Sequence, residues 1–245
     1  MKFIIDRYST DGSSLSDERC EQVRLVYELC ESIGDDLTSY KQIQNEAVTR
    51  HIFGSAKADS VIRTIFPLLK KIGFVSYPDN EEFKANSFFT ENGKLFVLTY
   101  DSLINAKAIA DEKTIALLQN SLILILWLGI EHLSKSEYRE HNIMLAIEIL
   151  RRENEIYWNE LLFILSSYHN GDSIEQAIVN AKIHRSNNVD FEYCNQFNKP
   201  IANTAYSYVR SFLTEAGIID NVKGQHSCLK ESAKSFINSL PHYGY

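Results

Sequence analysis

Residues 60–100, SVIRTIFPLLKKIGFVSYPDNEEFKANSFFTENGKLFVLTY, decide the fold. Val61, Ile62, Ile65, Leu68, Leu69 and Ile72 recur at helical spacing, and Gly73 stops the run. Phe74-Val75-Ser76-Tyr77 reads as a short strand, followed by a polar tip and a second strand around Ser87-Phe88-Phe89. Thr90-Glu91-Asn92-Gly93-Lys94 then opens a further segment.

The same order recurs near the C-terminus. In YSYVRSFLTEAGIID, residues 206–220, Leu213 matches Leu69, Gly217 matches Gly73, and Ile218-Ile219 match Phe74-Val75. Leu229-Lys-Glu-Ser-Ala-Lys-Ser-Phe236 lines up with Phe89-Thr-Glu-Asn-Gly-Lys-Leu-Phe96. The offset is 144 residues for the helices and 140 for the strand ends, so the second hairpin is shorter by four. Two copies are too few for a solenoid and fit a tandem of small domains.

A chain of 245 residues holds one large or two small domains. Four prolines and ten glycines leave little room for a flexible linker. The net charge of −7 argues against whole-surface attraction to nucleic acid or acidic membranes, without excluding a local basic face. Cys20, Cys30, Cys194 and Cys228 are scattered, with no Cys-x-x-Cys spacing, so they read as reduced thiols and no metal site or cofactor is expected. The N-terminal apolar run is too short for a signal peptide, and Ser121–Ile130 is about half the length needed to span a bilayer. A buried helix, no membrane partner and a cytoplasmic location are expected.

Along the chain, Met1–Tyr8 reads as a short strand or arm. Ser16 caps a helix whose Val23, Val26, Tyr27, Cys30 and Ile33 face inward until Gly34. Asp35–Ser39 starts another helix through about Val48. Asp111–Leu133 and Ser136–Arg152 are further helices, Ile156–Tyr168 is an apolar run, and Ser173 with Gln176 forms a capping box for a helix to about His184. The expected architecture is mainly α (α+β). It comprises a first domain over 1–105, a helical connector over 106–152 and a second domain over 153–245.

Helix, Leu69-Lys-Lys-Ile-Gly73-Phe-Val75, hairpin, then Phe88-Phe-Thr-Glu-Asn-Gly93-Lys-Leu-Phe96 resembles winged-helix DNA-binding domains. Two such units joined by helices, with an acidic overall charge, are similar to the N-terminal recognition halves of type IIS restriction endonucleases. The second copy departs from the pattern, with Ala233 at the Gly93 position and Lys230 at the Thr90 position. The resemblance implies sequence-specific binding of double-stranded DNA, with cleavage supplied by a nuclease domain or subunit beyond residue 245 or on another chain.

In a winged helix the third helix enters the major groove, and its N-terminal residues meet base edges. The resemblance thus places Lys57, Ser60, Arg63 and Thr64 toward DNA in the first copy, and Asn198, Lys199, Asn203, Thr204, Ser207 and Arg210 in the second. Residues 50–71 hold Arg50, Lys57, Arg63, Lys70 and Lys71 against the single carboxylate Asp59, a local excess of four positive charges in an acidic chain. Amide side chains suit adenine, and they equally cap and turn loops. Lys182, His184, Arg185, Lys223 and His226 are candidate phosphate contacts. Pro67 interrupts the first probe helix and is expected to bend it near Arg63.

No phosphate loop, Gly-x-Ser-x-Gly or His-Glu-x-x-His is present. Pro78-Asp79 followed by Glu82-Phe83-Lys84 imitates a nuclease metal signature, but two intervening residues in a wing tip are too few for both carboxylates to share a magnesium ion. Two other readings share the architecture: a dimeric transcription or replication regulator pairing through the Ile115–Ile130 helix, and a winged-helix protein–protein scaffold.

Overall fold

The structure is a computed structural model, and it describes residues 2–5, 15–53, 58–195, 197, 199–201, 204–221 and 226–243; of residues 2, 58–61, 204 and 205 only the backbone is described. The chain is mainly α-helical with a few short strands, an α+β protein. It divides into two compact units, one over 11–138 and one joining 1–10 to 139–245. The stretch 106–152 is therefore shared between the two.

Strand β1 (Lys2–Ile4) belongs to the second of these units. The unit over 11–138 starts with α1 (Asp17–Ile33), capped by Ser16, whose hydroxyl accepts the Arg19 N–H. The helix expected from Asp35 begins later: Leu37–Thr38 is strand β2, and α2 runs Tyr40–Thr49. Ser39 and Gln42 form a complete capping box there. The box expected at Ser173 is only half made, because Ser173 accepts the Gln176 N–H while the Gln176 side chain donates to Asn180.

Helix α3 (Ala58–Lys71) runs through Pro67 and buries Ile62, Ile65, Phe66, Leu68 and Leu69 completely. Its registration is fixed from the side: the Tyr40 hydroxyl donates to the Ile62 carbonyl at 3.1 Å, and Tyr40 stacks on Tyr77. After Gly73, Val75 bridges Phe89, and β3 (Phe83–Lys84) pairs antiparallel with β2. Helix α4 (Glu91–Ala108) follows, and α5 (Glu112–Lys135) packs along it. α5 is only partly the buried helix expected: it buries Ile125, Leu126, Gly129, Ile130 and Leu133, while Leu117 and Leu124 face solvent.

The other unit runs α6 (Asn142–Glu153), β4 (Glu155–Tyr157), α7 (Leu161–His169), α8 (Ile174–Ser186), β5 (Glu192–Cys194), α9 (Thr204–Glu215), β6 (Ile219–Asn221), β7 (His226–Leu229) and α10 (Lys234–Ser239). α6 starts at Asn142, six residues after the expected Ser136, and the apolar run from Ile156 opens in strand β4. Strands β4, β7 and β6 form an antiparallel sheet with β7 in the middle, and β1 pairs parallel with β5. Trp158, fully buried, donates its indole N–H to Ser227 Oγ at 2.9 Å and so ties β7 to the turn after β4.

The matched stretches coincide at the level of single backbone hydrogen bonds. The Phe74 N–H donates to the Leu69 carbonyl at 2.8 Å, and the Ile218 N–H donates to that of Leu213 at 2.9 Å. Gly73 and Gly217 both hold positive φ, +72° and +65°, which only glycine adopts without cost. The Thr90 N–H closes on the Phe74 carbonyl, and the Lys230 N–H closes on that of Ile218. The second hairpin is thus four residues shorter between equivalent bonds, as the offsets require.

Candidate nucleic-acid interface

The outward side of α3 carries Arg63 and Thr64, both exposed. Lys57 lies outside the described residues, and Ser60 is described only as backbone within α3. The neighbouring positive charges do not stand alone. Arg50 donates to Glu46 at 3.0 Å and to Ser32 at 3.0 Å. Lys70 pairs with Asp79 at 3.0 Å and sits over the Tyr77 ring at 4.4 Å. Lys71 lies 5.5 Å from the centroid of Tyr138. The local excess counted along residues 50–71 is therefore reduced in space by two carboxylates, Glu46 and Asp79, from outside that window. Lys84 bonds Asp35 at 3.3 Å, so Asp79 and Lys84 of the nuclease-like run are held by separate structural partners.

In the second copy, Asn198 and Asn203 lie outside the described residues, and Thr204 is described only as the backbone start of α9. Lys199 is exposed beside a turn made by Asn195, whose side-chain oxygen accepts the N–H groups of Phe197 and Lys199 at 2.9 and 3.0 Å. That amide serves the backbone. Ser207 is exposed on α9. Arg210 is half-buried and donates to Asn221 Oδ1 at 2.9 Å; Asn221 in turn holds Thr214 and Ser227. Arg210 thus anchors the probe helix to its hairpin.

Two of the remaining basic candidates of this unit, Lys182 and Arg185, line a cleft. About 290 Å³ of space, open to solvent, is lined by Ile149, Ile156 and Ile178 together with Glu153, Glu155, Glu160, Lys182 and Arg185. Lys182 is paired with Glu153. Arg185 donates to both oxygens of Glu160, at 3.1 and 3.2 Å, and lies 3.6 Å over the Tyr157 ring. Burial pushes the Glu160 carboxyl up, and the Arg185 charge beside it only partly offsets that. His226 contacts Glu155 at 3.0 Å, stacks on Tyr157 and has Cys228 Sγ 3.7 Å from the same Nε2. Glu155 and Cys228 meet the same ring nitrogen, so the three do not form a relay running through both nitrogens of the imidazole. His184 packs edge-on against Phe3 and Phe163, and Lys223 lies outside the described residues. No cluster of three metal-ligating side chains occurs among the described residues.

Sequence reasoning missed the Glu153–Glu160 lining because its members lie on α6, β4 and the following turn, while their partners sit on α8. A helical spacing of acids alone gives no sign of which bases will meet them. Compared with known proteins, the chain matches no family model, no curated protein and no solved structure.

Proposed function

We propose that the chain binds double-stranded DNA in a sequence-dependent way, with α3 and α9 as its probe helices. The observation that supports this reading is the duplicated backbone: each probe helix ends in a left-handed glycine and the same 2.8–2.9 Å amide–carbonyl bond, and then feeds an antiparallel hairpin. In each unit a preceding strand, β2 or β4, pairs with the returning strand, β3 or β7. In the first unit the order α1, β2, α2, α3 is the one in which a winged helix offers its third helix to the major groove; in the second, α8 and β5 are added before α9. Arg63 and Thr64 are the contacts we assign in the first copy and Ser207 in the second, with Arg210 setting the angle of α9. Target recognition for a restriction endonuclease, in the cytoplasm, is the setting that the resemblance implies, the nuclease being a separate domain or subunit.

The test is binding of the full chain to a randomised duplex pool at two salt concentrations. Specific binding that weakens as salt rises is expected. Arg63→Ala is expected to lose ~1–3 kcal/mol and to relax preference at one base pair. Affinity for duplex that is absent at both salt concentrations overturns the proposal. A protein-interaction module is the second reading, favoured by the neutralisation of Arg50 and Lys70 by Glu46 and Asp79.

A further inference from the structure

Helix α5 leaves an apolar stripe in solvent. Leu117 is 65% exposed, Leu124 57% and Leu128 44%, although the opposite flank of the same helix is buried. Lys113, Leu117, Asn120, Leu124, Leu128 and Glu131 follow one another at steps of three or four, the spacing of a helix-pairing seam. Lys113 has no carboxylate partner among the described residues, while Glu131 bonds Lys135 within the helix at 2.5 Å.

The stripe is self-complementary about its midpoint. Lys113 and Glu131 each lie nine residues from Leu122, Leu117 and Trp127 five, and Asn120 and Leu124 two. The two charged ends are about 27 Å apart on a helix rising 1.5 Å per residue. An antiparallel copy therefore places its Glu131 against Lys113, its Trp127 and Leu128 against Leu117, and the two Leu124 side chains beside the axis. A parallel copy would set Lys113 on Lys113 and Glu131 on Glu131, which like-charge repulsion disfavours. We propose that the chain forms a two-fold homodimer by antiparallel pairing of α5 with the α5 of a second copy. The two-fold axis makes each ion pair occur twice, so a single substitution is felt at both ends. This inference stands apart from DNA binding and adds a symmetry to it.

Sedimentation equilibrium of the full chain, without detergent and over a range of concentrations, tests it. The wild type is expected at dimer mass. Leu124→Glu, Lys113→Glu and Glu131→Lys are each expected to weaken association by ~10-fold or more, and the double variant Lys113→Glu/Glu131→Lys to recover most of it. Leu124 is exposed and Lys113 has no partner among the described residues, so these two substitutions leave the monomer folded, as circular dichroism would check. A monomeric wild type overturns the proposal, as does a dimer indifferent to Leu124→Glu or a double variant no tighter than the singles. By length and composition α5 also suits a bilayer. Flotation of the chain with phosphatidylcholine vesicles would assign the stripe to lipid and overturn the dimer.

Discussion

The two hairpins enter alike and leave differently. After the first, α4 starts at once: Thr90 accepts the Gly93 N–H at 3.2 Å through its side chain and donates to the Gly73 carbonyl at 2.7 Å, and the helix continues for 18 residues. After the second, Lys230 offers no capping oxygen, residues 231–233 form a 3-10 turn, and α10 lasts six residues. Gly93 lies so close to the hairpin that a Cβ there would stand 1.9 Å from the Phe74 carbonyl oxygen. At the equivalent place the second copy holds Ala233, fully buried, at the end of the 3-10 turn that precedes the helix. The two exits thus differ at the capping position, Thr90 against Lys230, and at the close-approach position, Gly93 against Ala233.

The leading helices also differ, in depth of charge. α1 carries Arg24 between Glu21 and Glu28 near the surface. α6 inverts the polarity and buries it: Glu148 is 1% exposed between Arg151 and Arg152, and Arg151 also donates to the carbonyls of Ile237 and Leu240. The largest expected effect follows. Glu148→Ala leaves two guanidinium groups without their carboxylate and should cost about 3–5 kcal/mol, against about 0–1 for Arg24→Ala, read by denaturant unfolding. Burial pushes the Glu148 carboxyl up, but bonds from His242 and Arg152 and the two guanidinium charges outweigh it and hold the group below the carboxylate range. Its stabilisation is therefore present above the ordinary glutamate pKa of about 4.3 and is lost as pH falls through the lower folded value. Thermal scans at descending pH should show that loss, and Glu148→Gln should flatten it.

Next in size is Gly93→Ala, expected to cost about 1–3 kcal/mol or more because the obstructing atom is backbone. Ala233→Gly should cost only about 0.5–1 kcal/mol. Equal costs would mean that the two exits are built alike. The smallest contrast is the cap: Thr90→Ala should lose about 1 kcal/mol. Lys230→Ala, which removes only a surface pair with Asp220, should lose less than about 1 kcal/mol.

The repeat could be read before the coordinates because it rests on local signals: an apolar helical stripe, a stopping glycine and two strand-like pairs. Strands β2 and β4 could not. Leu37 and Thr38 pair with Lys84 and Phe83, and Glu155 pairs with Cys228, so their extended form is imposed by partners far along the chain. Two or three residues are too few for an alternating pattern, and Leu37 is exposed besides. The charge window around α3 misled for the same reason: Asp79 reaches Lys70 across the hairpin, where no window over the helix counts it. Arg210 and Arg185 look like groove-seeking cations in the sequence, and each turns out to brace its own unit.

The parallel pairing of Lys2–Ile4 with Glu192–Cys194 has a consequence for how the molecule is made. Lys2–Ile4 is stitched to a segment that leaves the ribosome 190 residues later, a delay of ~10–40 s at ordinary translation rates. In that interval the nascent body over 11–138 can mature alone, while β1, which belongs to the other unit, waits with an open edge that a chaperone or a neighbouring chain could borrow.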